Sequence, residues 1–226
     1  ADPSVRQAMS YALDRDTIAE GSYAGFATAA TSIIGPGMPN AKPPESSPYT
    51  YDLDHAKELM AQSKFPDGGS ATLRYLQGDS DLELEATQIQ EQLAQIGIKL
   101  DVKPIGLAES NELTPAGQID VSLFHNAGGY SPDPIDFLTF YTATGGYYGD
   151  WPTKTVNSIV QQLVQTDDPA TQQSLYQRYE QFTADLLGQI PVVQPRDIDA
   201  QSSDVSGLDI NPLNDLALAR SWLCSA

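Results

Sequence analysis

The sequence predicts an α/β fold, a mixed sheet flanked by helices, on three observations. A strand-like run, Ala71 to Leu76, is followed by a helical row and a second strand-like run, so the centre of the chain reads β-α-β. Helices with clear start signals stand on both sides of that unit. The composition, 40% hydrophobic and 19% charged over 226 residues, is ample for a sizeable core.

The first helix runs from Pro3 to about Leu13, with Asp2 as cap and Pro3 at the first helical position. Val5, Ala8, Met9, Ala12 and Leu13 share one face. Asp14-Arg15-Asp16 interrupts it, and a short helix to about Glu20 follows. Residues 21–51 read as a loop. They are uncharged from Gly21 to Ala41, but too rich in Gly, Pro, Ser and Thr for a membrane span. So long a loop is expected to be functional or to pack against something outside the chain. Asp52 caps the next helix, with Leu53, Ala56, Leu59 and Met60 on one face, ending before Pro66-Asp67-Gly68-Gly69.

In the central unit Leu82, Ala86, Ile89, Leu93 and Ile96 step by four and three along a helix closed by Gly97. Ile98, Leu100 and Val102 then alternate with Lys99, Asp101 and Lys103, so the two strands should lie parallel through a right-handed crossover. Ser80 with Glu83 reads as a capping box. Asp81, Glu83 and Glu85 read as carboxylates complementing the helix dipole, not as a metal or glycosidase site. Ile119, Val121 and Leu123 predict another strand, Thr155–Gln165 and Pro169–Leu187 two helices, and Ile190–Gln194 a last strand. Asp168-Pro169 opens the second of those helices and Gly188 ends it. Residues 195–226, rich in Asp, Ser and Pro, give no clear element, and no internal repeat is present.

Charge and residue counts exclude whole classes of function. Twelve Lys and Arg against 30 Asp and Glu give a net charge of −18, which repels nucleic acid and anionic membrane surfaces. The acids read as a solvated coat. Cys224 is the single cysteine, so no disulfide framework or structural zinc site follows, and the two histidines, His55 and His125, have no metalloprotease spacing. Neither a P-loop, a GxGxxG fingerprint nor a GxSxG elbow occurs, and the Asp-x-Asp pairs at 14/16, 79/81 and 197/199 lack the rest of a calcium loop. The chain opens on a helix cap without a signal peptide, as a matured form or a piece of something longer would.

The strongest local signal lies in residues 121–151, which hold eight of the nineteen aromatics and two Gly-Gly pairs, Gly128-Gly129 and Gly145-Gly146, around a short helix opened by Pro134. Glycine loops bearing Tyr and Trp after a strand offer flat faces, hydroxyl and indole donors, and closely approachable backbone, which suits a polar ligand. The candidate ligand-binding residues are Phe124, His125, Asn126, Gly128, Gly129, Tyr130, Ser131, Asp133, Tyr147, Tyr148 and Trp151. Phe137, Phe140 and Tyr141, spaced three and four apart, read instead as core. Asp133 has a competing reading as a turn residue ahead of the helix.

Several segments resemble one family. They are Val5 to Arg15 (VRQAMSYALDR), Gly35-Pro36-Gly37, Tyr51 to Asp54 with Ala56-Lys57, Ile89-Gln90 through Leu93 to Ile96-Gly97-Ile98, Tyr130 to Pro134 before Phe137-Leu138, and Leu175-Tyr176 to Ile190-Pro191. In this order and spacing they are similar to the extracytoplasmic solute-binding proteins, family 5, of ABC importers, the dipeptide-, oligopeptide- and nickel-binding type. The resemblance implies the C-terminal lobe of a two-lobed periplasmic-binding-protein fold (type II-like, cluster C). Residues 1–226 would form that one lobe, with 195–226 returning toward an N-terminal lobe that is absent.

It further implies capture of a small solute, a peptide or a neutral solute such as an oligosaccharide, between two lobes, and delivery to ABC permease subunits. No catalysis, cofactor or metal is then expected, and the setting is extracytoplasmic, periplasm or cell surface, with a lipid anchor in the complete protein. Where peptide-binding members place an Asp for the peptide α-amino group, this chain has Gly129 or Tyr130. An unpaired buried ammonium costs several kcal/mol, which favours neutral solutes. The alternative function is a carboxylate-dependent hydrolase, which needs two acids in one cleft, one with a strongly raised pKa.

Overall fold

A computed structural model describes residues 2–36, 38, 40–125, 134–142, 153–196, 198, 202–207 and 222–223. Five of its described helices begin on a capping aspartate, four of them as the sequence predicts. Asp2 accepts from Ser4 N at 2.9 Å and opens α1 (Pro3–Ala12). Asp14 accepts from Thr17 N and Thr17 Oγ1 and opens α2 (Arg15–Tyr23). Asp52 accepts from His55 N ahead of α3 (Leu53–Gln62). Asp168 accepts from Thr171 N at 2.9 Å and, with Pro169, starts α8 (Pro169–Leu186). Each such cap satisfies a backbone donor that the first turn leaves without an intrahelical partner.

The expected β-α-β unit is present. β2 (Gly69–Leu76), α4 (Ser80–Ala94) and β3 (Ile98–Ile105) form it, with the strands parallel in register from Gly69↔Ile98 to Leu76↔Ile105. β4 (Val121–Leu123) pairs parallel on the other side of β2, giving the order β3-β2-β4. Antiparallel pairings occur apart from this sheet: β1 (Ala27–Ala29) with β5 (Val193–Pro195), and β6 (Val205–Ser206) with β7 (Trp222–Leu223). Helix α5 (Leu107–Leu113) follows β3, while α6 (Pro134–Thr142) and α7 (Thr153–Val164) precede α8.

Several boundaries differ from the sequence reading. Asp79, not Ser80, caps α4: its carboxylate reaches Asp81 N and Leu82 N at 3.1 and 3.0 Å, which draws Ser80 into the first turn. β3 continues through Pro104, tolerated because β3 is an outer strand of its sheet and needs no donor there. α8 ends on Leu187 in the left-handed region (φ 47°), one residue before the glycine expected to stop it.

Segment 21–51 also differs. It holds the end of α2 and all of β1, and it then packs on this chain itself, with Ile34 and Ala41 buried against α7 and α8 and Tyr49 Oη donating to Ala184 O at 2.9 Å.

Two apolar clusters result. One gathers α1, α3, α4, β2 and β3 around Leu73, Leu82, Ile89 and Leu93. The other gathers α6, α7 and α8 around Leu138, Ile159 and Tyr179. Arg15 is a buried cation without a carboxylate on its bonds; it donates to the carbonyls of Ser10, Leu13, Tyr49 and Pro191 and to Ser10 Oγ.

Candidate functional site

In parallel α/β sheets ligands collect at the carboxyl ends of the strands, where loops and helix N-termini converge. Here those ends are Leu76 of β2, Ile105 of β3 and Leu123 of β4. The chain continues from them into Gln77–Asp79, Gly106–Leu107 and Phe124–His125. Leu76 and Leu107 are exposed at the same ends, the latter by 63%, so the rim is partly apolar.

Of the candidate ligand-binding residues, the structure describes Phe124 and His125 and sets both immediately after β4. His125 is about one-third exposed, hydrogen-bonded through one ring nitrogen and near a carboxylate with the other. Nε2 stands 2.5 Å from Tyr23 Oη and Nδ1 3.3 Å from Asp79 Oδ2. Tyr23 Oη in turn donates to Glu85 Oε2 at 2.8 Å. Asn126, Gly128, Gly129, Tyr130, Ser131, Asp133, Tyr147, Tyr148 and Trp151 lie outside the described residues, as do the side chains of Phe137, Phe140 and Tyr141.

The reading of Glu85 as a solvated first-turn acid is corrected. Asp81 and Glu83 are exposed as expected, but Glu85 is 2% exposed. It falls three residues after Leu82 and four before Ile89, on the stripe that faces the core. Burial raises its carboxyl to about 7, against the lowering effect of the Tyr23 hydrogen bond, with Asp79 adding to the rise. The same burial, together with Glu85, Asp79 and Asp81, pushes the Tyr23 hydroxyl well above its ordinary value. That helical spacing was the sequence signal for Glu85; Tyr23 had none, lying inside what reads as a loop.

A raised acid next to Asp79 is what a hydrolase would require, but this one is closed. Glu85 is covered and one of its oxygens is taken by Tyr23, so it cannot reach a scissile bond from the mouth. The other raised acid, Glu180, lies elsewhere: it accepts from Ser32 Oγ at 2.9 Å beside a crevice of about 360 Å³ between segment 31–49 and α8. A shallow hollow of about 380 Å³ opens at Ser70–Thr72, Lys99–Asp101 and Asp120, toward the amino ends of the strands. Among the described residues no cluster of three or more His, Cys, Asp or Glu could hold a metal ion, and no helix is long and apolar enough to cross a membrane.

Residues 1–148 match the family described as bacterial extracellular solute-binding proteins, family 5, middle region. The glutathione-binding protein GsiB of Shigella dysenteriae is 28% identical over 224 aligned positions, covering 93% of this chain and 43% of that protein. The chain thus spans less than half the length of the curated relatives it matches.

A dipeptide-binding protein from Pseudoalteromonas, solved with Met-Leu, superposes with a TM-score of 0.83 at 20% identity, over 98% of this chain and 45% of that one. An oligopeptide-binding protein from Thermotoga maritima, solved with mannohexaose, gives 0.75 at 18% identity, over 90% and 43%. At such identities these two establish the fold: it is that of periplasmic binding proteins, as the sequence resemblance implies.

Proposed function

This chain belongs to the bacterial extracellular solute-binding proteins of family 5, and from that membership we propose that it forms one lobe, residues 1–226, of an ABC importer's solute-binding protein. The lobe offers the carboxyl ends of β2 and β4 to a small peptide-type solute of the glutathione or dipeptide class. A second lobe closes over that solute, and the closed protein delivers it to the permease subunits. The protein works outside the cytoplasm, with a lipid anchor on the complete chain.

The observation that carries this reading is the position of Phe124 and His125, two of the candidate residues, at the strand ends where this fold gathers ligands. The exposed leucines of the rim suit a guest with apolar groups, and His125, whose two nitrogens face Tyr23 and Asp79, offers it a ring face. Gly129, Tyr130, Ser131, Tyr147, Tyr148 and Trp151 would supply backbone and ring contacts, and Asp133 would stand in for the carboxylate that Gly129 or Tyr130 does not give, pairing the α-amino group that otherwise favours a neutral solute.

The test is thermal shift of the family-length protein with reduced glutathione, Met-Leu and mannohexaose at millimolar concentration. A solute bound only by the folded state raises the Tm, by about 2.7 kcal/mol of stabilisation at a hundred times Kd. A shift with glutathione or Met-Leu is expected. A shift with mannohexaose alone would replace the peptide-type reading with the oligosaccharide one, and no shift with any of the three would overturn it.

A further inference from the structure

The crevice of about 360 Å³ between segment 31–49 and α8 is lined by two polar groups that the described residues leave short of partners. Glu180 is 8% exposed, and Ser32 Oγ donates to its Oε1 at 2.9 Å. That hydroxyl has one hydrogen and a second acceptor in reach, Ile34 O at 2.8 Å, so the carboxylate has at most a shared donor. Among the described residues Glu180 Oε2 has no hydrogen-bond partner and the side chain no ion pair. Gln189 is the second group: its Nε2 is buried and bonds nothing among the described residues. The terminal torsion of a glutamine turns readily, so this amide can present an N–H to the crevice it lines.

The walls are held from several sides. Tyr49 Oη donates to Ala184 O at 2.9 Å and Asn40 Nδ2 to Gln172 Oε1 at 2.8 Å, which fasten the segment to α8. Arg15 donates to Tyr49 O and Pro191 O on the inner side. The site is therefore built before any guest arrives, and its volume falls in the range of small-molecule pockets, about 300–1,000 Å³. It is also separate from the strand ends. Thr31, Ser32, Gln189 and Pro191 lie just beyond the Ala29↔Val193 pair of the β1–β5 ribbon. Tyr23, which bonds His125, stands at the ribbon's other end, where Arg196 N donates to Phe26 O and Phe26 N to Tyr23 O.

A buried carboxylate calls for a cation and a buried amide N–H for an acceptor, because either left bare costs free energy. A guest with both an ammonium and a carboxylate answers both needs. A simple amine leaves Gln189 bare, and a neutral polyol brings Glu180 no counter-charge. Lys42 lines the crevice and is exposed, so its positive charge on the rim also favours a carboxylate. Burial raises the Glu180 carboxyl to about 7, with the Ser32 bond opposing, as befits a carboxylate with no cation beside it.

We propose that this crevice is a second small-molecule site, distinct from the solute site, which takes a free α-amino acid with an apolar side chain. Glu180 pairs with the ammonium, Gln189 and Lys42 take the carboxylate, and the side chain lies against Ile33, Pro44, Pro48 and Leu187. The inference goes beyond the importer reading and does not depend on it, since every one of these residues belongs to this chain.

The experiment is a calorimetric titration of this chain at pH 8 with three probes: L-leucine, 3-methylbutylamine, which lacks the carboxylate, and 4-methylpentanoate, which lacks the ammonium. Leucine should bind at millimolar concentration, and each of the other two about tenfold more weakly or worse, the worth of one charged hydrogen bond. Glu180→Gln keeps the side chain's shape and an oxygen for Ser32, and should weaken leucine by about tenfold or more. Gln189→Met, which removes only the amide, should weaken it by about threefold to tenfold. Absence of leucine binding by the native chain would overturn the proposal. So would equal leucine affinities for native, E180Q and Q189M, which would put the amino acid elsewhere, or amine binding as tight as leucine, which would discard the zwitterion.

The same titrations in the family-length protein decide whether the site is open in the complete molecule. Leucine binding by this chain but not by the longer protein would show that the remaining chain covers the crevice, and would overturn the proposal. Affinity for glutathione and Met-Leu is measured alongside and should be unchanged in E180Q. Loss of the leucine site with those two solutes still bound leaves the importer reading standing, and the reverse result strikes that reading alone.

Discussion

Arg15 is the residue on which most of the structure converges. Its guanidinium is buried and raises no carboxylate partner; Nε donates to Pro191 O at 2.8 Å, Nη1 to the carbonyls of Ser10 and Tyr49 at 3.0 and 3.1 Å, and Nη2 to Ser10 Oγ at 2.8 Å. These partners belong to α1, to segment 21–51 and to the approach to β5, so one planar fork ties three stretches far apart in sequence. Desolvation lowers its pKa to about 10, which still leaves it a cation at neutral pH. A Lys ammonium cannot span that set of directions, and a Met leaves the carbonyls unpaired. R15K is expected to destabilise by about 2–3 kcal/mol and R15M by about 3–5 kcal/mol in urea titrations. An R15M midpoint within error of the native one would show that the carbonyls find water or other donors at no cost. In the sequence this arginine stood out only as part of a family-like run; nothing in the spacing marked it as structural.

At the scale of elements, the β2–α4–β3 unit is anchored by two glycines at the amino ends of its strands. Gly68 and Gly97 both have positive φ, +85° and +83°, and a Cβ on Gly68 would lie 2.0 Å from Gly97 O. Gly78 has a similar φ, +93°, but open space around the same atom. Ala at Gly78 therefore pays only the left-handed backbone cost, about 1 kcal/mol, whereas Ala at Gly68 must also move the backbone that starts β3, about 3 kcal/mol or more. Equal destabilisation of G68A and G78A would mean that the close approach carries no energy.

This unit is legible in the sequence, because the period-two and period-3.6 rows of Ile98–Val102 and Leu82–Ile96 are local signals. Helix α5 was not, since its N-cap is Gly106 and no side chain caps it. Nor was β1, whose partner β5 lies more than 160 positions away in the chain and leaves no local period. Of the candidate site, the carboxyl end of β4 was legible from the glycines and aromatics after it. Tyr23 was not, because its role comes from α2 crossing α4.

For the whole molecule, the titration of a few groups sets the pH at which the fold is most stable. Glu85 and Glu180 are both raised by burial to about 7, so between an ordinary carboxyl value near 4.5 and about 7 the folded chain binds more protons than the unfolded one. Stability then falls as pH rises through that window and levels off above it. Asp2 and Asp168 act in the opposite sense. Backbone hydrogen bonds from Lys64 and Ser4 lower Asp2, and the Thr171 hydroxyl and N–H lower Asp168; their contribution is complete above 3.8 and is lost as pH falls through their depressed values.

The optimum is therefore expected near pH 4–5, below the usual range, with a Tm that declines toward pH 7. For Glu85 alone the window is worth up to about 3 kcal/mol, at about 1.4 kcal/mol per pKa unit. The net charge of −18 pushes in the same direction by self-repulsion, but that part is screened by salt and the buried part is not. Calorimetry from pH 3.5 to 8.5 in 0.05 and 1 M NaCl separates the two. The decline between pH 5 and 7 should survive high salt in the native chain and largely vanish in the E85Q/E180Q double variant. A native Tm that climbs from pH 5 to 7, or a decline abolished by salt alone, would assign the behaviour to the acidic coat and not to the two buried carboxyls.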